Sequence, residues 1–244
     1  MNAAAALRQE TVFDLPAPSP SRGETLARYR RLREVGKRHH DAVMDFLPKD
    51  AILQHGRRLG LAQGRRLVLD SMDELALAID LAIYTAPPGR SRAIDRYANS
   101  ARLAPGSEEA VMLEAMRNAR FGVLLAQRRH EAAGLIVADV FRGIEMWLVD
   151  EGLEASMPDG ATFATRYCAP GPFIMTAGAG VPVGRGAIER AVESAPPLTR
   201  KPPADAIQDR RFAEAVYRGA IQDGTTEKVR YRDPAGGGDD ASWR

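Results

Sequence analysis

The densest group of metal-binding side chains in the sequence is His39-His40-Asp41 with Asp45. Residues four apart share a helix face, so Asp41 lies with Asp45 and His40 with Met44. Imidazole and carboxylate are the ligands of a metal-dependent hydrolase, whose zinc takes three protein groups and a water. No His-Glu-x-x-His spacing accompanies the cluster, and His39 also falls on an apolar stripe, where burial is the ordinary outcome. A second group is His55-Gly56-Arg57-Arg58-Leu59-Gly60, followed by Gly64-Arg65-Arg66. Glycines let backbone amides approach an oxyanion, and the guanidinium fork matches phosphate or carboxylate. Arg57, Arg58, Arg65 and Arg66 are therefore the candidate anion-binding residues. Their glycine spacing is neither a P-loop nor a dinucleotide fingerprint, and a helix end with a solvated basic face has the same pattern.

Asp70, Asp73, Glu74 and Asp80 are close enough in sequence for paired acid–base work, but acids at a helix start also offset its dipole. No Gly-x-Ser-x-Gly elbow recruits a serine nucleophile. The single cysteine, Cys168, falls inside an expected strand and reads as core. It excludes an intramolecular disulfide and fits a reducing, cytoplasmic compartment. Trp147, Tyr167 and Phe173 suit a platform for single-stranded bases, though a small barrel uses such positions to fill its interior. No spacing assigns a catalytic residue, and no cofactor is expected.

The elements that would position these groups separate by period. From Gly23 to about Arg120 the pattern is helical: Leu26, Tyr29, Val35, His39, Val43 and Phe46 form one stripe. Pro48 opens a second helix that ends near Leu59-Gly60. Leu67-Val68-Leu69 is a short strand or extended connection. Ser71 and Glu74 have capping-box spacing ahead of Leu75, Ile79, Ala82 and Ile83. Pro87-Pro88-Gly89 stops that helix, and Ser107 caps another. After Arg120 the period becomes two. Strands are expected at 121–125, 135–140, 145–149, 162–167 and 173–176, separated by turn residues. The expected class is α+β, with about four helices over residues 22–120 and a small antiparallel β-barrel or rolled sheet over 121–183.

Proline and serine interleave before position 22, so residues 1–21 are expected to be a disordered leader. Residues 184–205 read as a short helix and a Pro-rich linker, 206–222 as a C-terminal helix, and 223–244 as a disordered tail. The C-terminal helix docks on the body or on a partner. In the second case the protein would be a scaffold subunit. No run of eighteen apolar residues occurs, so no membrane span is expected.

Several short stretches carry a resemblance. They are Leu59-Gly60-Leu61, Leu67 through Leu75, Asp80, Tyr84, Asp139-Val140-Phe141-Arg142-Gly143, Gly160 and Arg166. Over residues 22–183 the chain resembles a group of uncharacterised bacterial proteins, some of whose relatives carry a SEC-C zinc motif. The resemblance implies a helical segment followed by a small barrel, and no reaction. One cysteine cannot supply the ligands of that zinc motif.

The formal charge of +2 on 244 residues names no partner by itself. By segment it divides unevenly: residues 22–66 carry +7, residues 67–120 carry −2, and residues 121–183 carry −3. A basic front suits an anionic partner, nucleic acid or an acidic protein surface, or the acidic sheet of the same chain. The expected function is a non-enzymatic binding or regulatory module, with a metal-dependent hydrolase using His39, His40, Asp41 and Asp45 as the alternative.

Overall fold

The computed structural model describes residues 20–194, 202–207 and 209–225. Most of the expected leader, linker and tail lies outside the described residues. The first helix, α1 (Arg22–Met44), starts at a full capping box: the Ser21 side chain accepts from the Glu24 amide, and Glu24 accepts from the Ser21 amide. Ser21 therefore belongs to the helix start rather than to the leader. Helix α2 (Ala51–Leu59) ends at Gly60 in the left-handed region, φ 86°, a conformation nearly reserved for glycine. Pro48 precedes this helix by one turn instead of opening it, its carbonyl accepting from the Ala51 amide.

A two-residue hairpin, β1 (Ala62–Gln63) and β2 (Arg66–Leu67), turns at Gly64. Helix α3 (Met72–Tyr84) follows, with the Ser71 side chain accepting from the Glu74 amide. The return bond of the expected box goes elsewhere: Glu74 accepts from the Asp70 amide at 2.7 Å. Helices α4 (Ala93–Ser100) and α5 (Glu108–Arg117) complete five helices ahead of the sheet, rather than about four. Ser107 caps α5 as expected.

The sheet comprises β3 (Arg120–Arg129), β4 (Leu135–Asp139), β5 (Ile144–Leu148), β6 (Thr162–Cys168) and β7 (Met175–Pro182). Its order is β5-β4-β3-β6-β7, antiparallel throughout. Helix α6 (Glu151–Ser156) is inserted between β5 and β6. The expected barrel is not formed. The edge strands meet at one parallel bridge, Leu148 with Ile174, where Val149 donates to the Ile174 carbonyl and Ile174 to the Trp147 carbonyl. The rest of the β7 edge is covered by helices. Arg33 of α1 donates to the Thr176 carbonyl at 3.0 Å, and the Tyr84 hydroxyl of α3 donates to the Ala177 carbonyl at 2.8 Å. Side chains thus occupy acceptors that a closing strand would otherwise have used, and they blunt the edge.

Both sheet faces are buried, which explains the unbroken apolar run at the start of β3. Phe121 and Val123 face a core with Leu77, Leu81 and Phe212, whereas Leu124 faces Leu135, Leu148 and Phe163. A third core joins Tyr29, Leu32, Ile94, Met112 and Met116 beneath α1. The hairpin after β3 turns at Gly134, φ 80°, where an added Cβ would lie 2.1 Å from the Leu148 carbonyl.

Helices are not confined to the N-terminal side. Helix α7 (Arg185–Glu193) follows β7, and α8 (Arg210–Gln222) comes after a helical turn at Pro203–Ala206. The C-terminal helix α8 docks in cis on α2, α3 and α7, with Phe212, Val216, Tyr217 and Ala220 fully buried. Among the described residues, no helix is long and apolar enough to cross a membrane.

Candidate functional site

Two of the concavities among the described residues lie against α3, one on each side of it. The larger is a cleft of about 760 Å³ between α2, the α3–α4 connection and the start of α8. Phe46, Leu47, Pro48 and Pro87 give it apolar walls, and its charged residues are Arg58, Arg90, Arg96 and Arg210; among the described residues no carboxylate lines it. Sequence distance hides this grouping, because the four come from α2, a loop, α4 and α8. Pro87-Pro88-Gly89 creates the loop that carries Arg90, with Gly89 at φ 75°.

The guanidiniums of the cleft differ in how far they are engaged. Arg96 donates to the Ser91 and Phe46 carbonyls. Arg58 lies 3.6 Å from Glu214. Among the described residues, Arg90 and Arg210 have no side-chain hydrogen-bond or ion-pair partner. A neighbouring concavity shares Thr85, Ala86, Arg90 and Arg210 with the cleft and adds Arg92, Arg120 and Arg166, together with Asp95 and Asp209. Arg92 is held by Asp95 at 2.7 Å and Arg166 by Asp80.

His55 also lines the cleft. Burial, with Arg58 and Arg210 nearby, pushes its pKa down to about 4, so the ring is neutral near pH 7. Its Nδ1 is buried without a hydrogen-bond partner. Burial is the larger cause, and Arg58 and Arg210 further disfavour the charged ring.

The four arginines singled out by sequence do not converge on one surface. Only Arg58 lines the cleft. Arg57 donates from Nε and Nη2 to the Gly64 carbonyl, at 3.1 and 2.7 Å, and so braces the β1–β2 turn. Arg65 and Arg66 are exposed on that hairpin. Arg90, Arg96 and Arg210 carry no local motif; a Pro-Pro-Gly turn followed by arginine is the single sequence signal that bears on them.

The second concavity, about 310 Å³, lies between α1, α3 and the β7 edge. Arg33, Lys37 and His40 line it at spacings of four and three on one face of α1, with Gly36 between them. The Tyr84 hydroxyl has one proton, which goes to the Ala177 carbonyl, so the His40 Nε2 within 3.0 Å donates to Tyr84. That leaves Nδ1 as the acceptor nitrogen of His40. Burial first, and Arg33 second, hold His40 below the ordinary imidazole range.

Beneath this cavity runs a polar network that joins three elements. Arg166 of β6 grips Asp80 of α3, and the Tyr217 hydroxyl of α8 donates to the same carboxylate at 3.2 Å. The Arg166 guanidinium also sits 4.8 Å from the Tyr84 ring centre. Asp80 is thus a buried ion-pair partner of Arg166.

Of the metal-ligand candidates, His39 is bonded through one nitrogen to the Tyr97 hydroxyl and through the other to the Glu109 carbonyl, each at 2.9 Å. Asp41 and Asp45 are exposed. Among the described residues, no group of three or more His, Cys, Asp and Glu side chains could hold a metal ion. Cys168 is buried, with its thiol pushed up to about 12 by burial. Trp147 stacks on His130 at 4.1 Å and meets Phe173 edge-on, whereas the Tyr167 hydroxyl is tied to Asp139. The aromatic trio is therefore no common platform.

The fold and these concavities define an α+β protein in which an antiparallel sheet is flanked by helices on both sides in sequence, with an acid-free basic cleft on its helical side. The chain belongs to a family of unknown function (DUF7986), which it matches over residues 23–227. No curated protein and no solved structure matches the chain.

Proposed function

We propose that the protein is a non-enzymatic binding or regulatory module for an anionic partner, nucleic acid or an acidic protein surface, and that the cleft of Arg58, Arg90, Arg96 and Arg210 receives the partner's anionic groups. The observation that carries this reading is a concave surface with four guanidiniums and no carboxylate in its lining. Surface arginines usually face acids that neutralise them, as Arg30 faces Glu151 and Arg22 faces Glu154 elsewhere on this protein. Among the described residues, no ion pair joins Arg90 or Arg210 to an acid, although Asp95 and Asp209 line the adjoining concavity. Guanidinium forks bind phosphate and carboxylate bidentately, and low-dielectric walls concentrate their field.

The test is fluorescence anisotropy of the full chain with a labelled single-stranded oligonucleotide and, separately, a labelled polyglutamate peptide. Saturable binding of one of the two, weakened at least tenfold by Arg90→Glu with Arg210→Glu, is the expected result. No binding of either probe at low salt would contradict the reading.

A further inference from the structure

We infer that the cavity between α1, α3 and the β7 edge is a second binding site, for a small organic monocarboxylate with a compact apolar body. The observations behind it are independent of the basic cleft. One wall presents Arg33, Lys37 and His40 from three successive positions on a single face of α1. The rest of the lining is mostly apolar, with Ile79, Ile83, Met112 and Met175 and the Gly178-Ala179-Gly180 stretch of β7, beside the carboxylates of Asp73 and Asp80. A cationic end facing an apolar end is the arrangement that fits a carboxylate with a hydrocarbon portion. The volume, about 310 Å³, lies at the small end of ligand cavities.

The cationic end is held in place rather than left to wander. Arg33 Nη1 donates to both the carbonyl and the hydroxyl of Thr176, at 3.0 and 3.1 Å. Thr176 donates in turn to Asp150 at 2.7 Å, and Asp150 caps α6. This anchoring uses one nitrogen and leaves Nε and Nη2 of the guanidinium for a carboxylate. Lys37 contacts only Glu34, one turn earlier on the exposed side of α1. Such a surface pair exchanges partners at little cost.

Two carboxylates of α3, Asp73 and Asp80, also line the cavity. Asp80 is committed to Arg166 and Tyr217. Asp73 lies in the first turn of α3, and burial raises its carboxyl above the usual range. His40, whose Nε2 proton is given to Tyr84, offers Nδ1 as an acceptor. A hydroxyl next to the carboxylate would therefore add to affinity.

The test is isothermal titration of the full chain with acetate, butyrate, hexanoate and benzoate, and with butyramide and benzamide as uncharged counterparts. Expected are one-to-one binding that tightens from acetate to butyrate as apolar atoms are added, and no saturation by the amides. Lys37→Gln changes an exposed side chain and should weaken binding at least tenfold. Ala76→Phe fills the cavity from α3 and should abolish it, with circular dichroism reporting that the variant is folded. Arg90→Ala with Arg210→Ala should leave it unchanged, which separates this site from the cleft. No saturation by any of the four acids at roughly 10 mM, where even a weak site would register, would overturn the inference. So would equal binding of the amides, or retained binding in folded Ala76→Phe.

Discussion

Arg166 on β6 and Asp80 on α3 form a buried bidentate ion pair, with Nε to Oδ1 and Nη2 to Oδ2 both at 3.0 Å. Their side chains are 7% and 1% exposed. Because Tyr217 of α8 bonds the same carboxylate, one ion pair ties α3 and α8 to β6. Removing one partner of such a pair leaves an uncompensated buried charge, at a cost of about 3–5 kcal/mol. Arg166→Met should therefore destabilise by that amount in urea unfolding, and Asp80→Leu combined with Arg166→Met by clearly less. Equal losses in the single and double variants would show that the penalty is lost packing.

Gly178 makes room for this pair. A Cβ at that position would lie 2.0 Å from Asp80 Oδ1, so Gly178→Ala must displace the carboxylate or the strand. The expected loss is about 1–3 kcal/mol, in the range of overpacking. Gly23, in the first turn of α1, has nothing within 4 Å of the same added atom. Gly23→Ala should leave stability unchanged or raise it by up to about 1 kcal/mol. Thermal melts of the two variants check the contrast.

The docking of α8 rests on a few large side chains. Phe212 is fully buried against Phe121 and Phe141, with ring centroids 6.1 and 5.0 Å away. Phe212→Ala should cost about 3–5 kcal/mol, and amide exchange should accelerate in α8 before it does in β3. Uniform acceleration across both elements would mean that α8 does not open independently.

His55 sets a pH dependence whose sign is fixed. Its folded pKa, about 4, lies below the ordinary value of 6.5. Between those values the unfolded chain binds a proton that the folded chain does not, so stability falls as pH drops through the window. His55→Gln should flatten the stability profile between pH 6.5 and 4 by roughly 1–2 kcal/mol, a figure reduced for the ring's partial exposure. An unchanged slope would show that His55 titrates normally.

Elements whose cause is local are readable in the sequence. Ser107 caps α5, Gly60 ends α2, and the alternation after Arg120 marks the strands, because each depends on neighbours a few residues away. That the sheet stays open is not readable in this way. It depends on Arg33 and Tyr84, distant in sequence, reaching the β7 carbonyls. The basic cleft has the same difficulty, since Arg58 and Arg210 meet only when α8 folds back onto α2. Arginines adjacent in sequence, Arg57 with Arg58 and Arg65 with Arg66, point to different tasks because neighbouring positions on a helix or hairpin face different ways.

In the proposed function, the basic cleft binds an anionic partner through Arg90 and Arg210. The most direct measurement is the salt dependence of oligonucleotide affinity for the unaltered chain and for Arg90→Ala with Arg210→Ala. Each arginine–phosphate contact contributes about 0.7 to the slope of log affinity against log salt for a single strand. The double variant should bind more weakly, with a slope shallower by about 1.4. Identical affinities and slopes for the two proteins would contradict the claim.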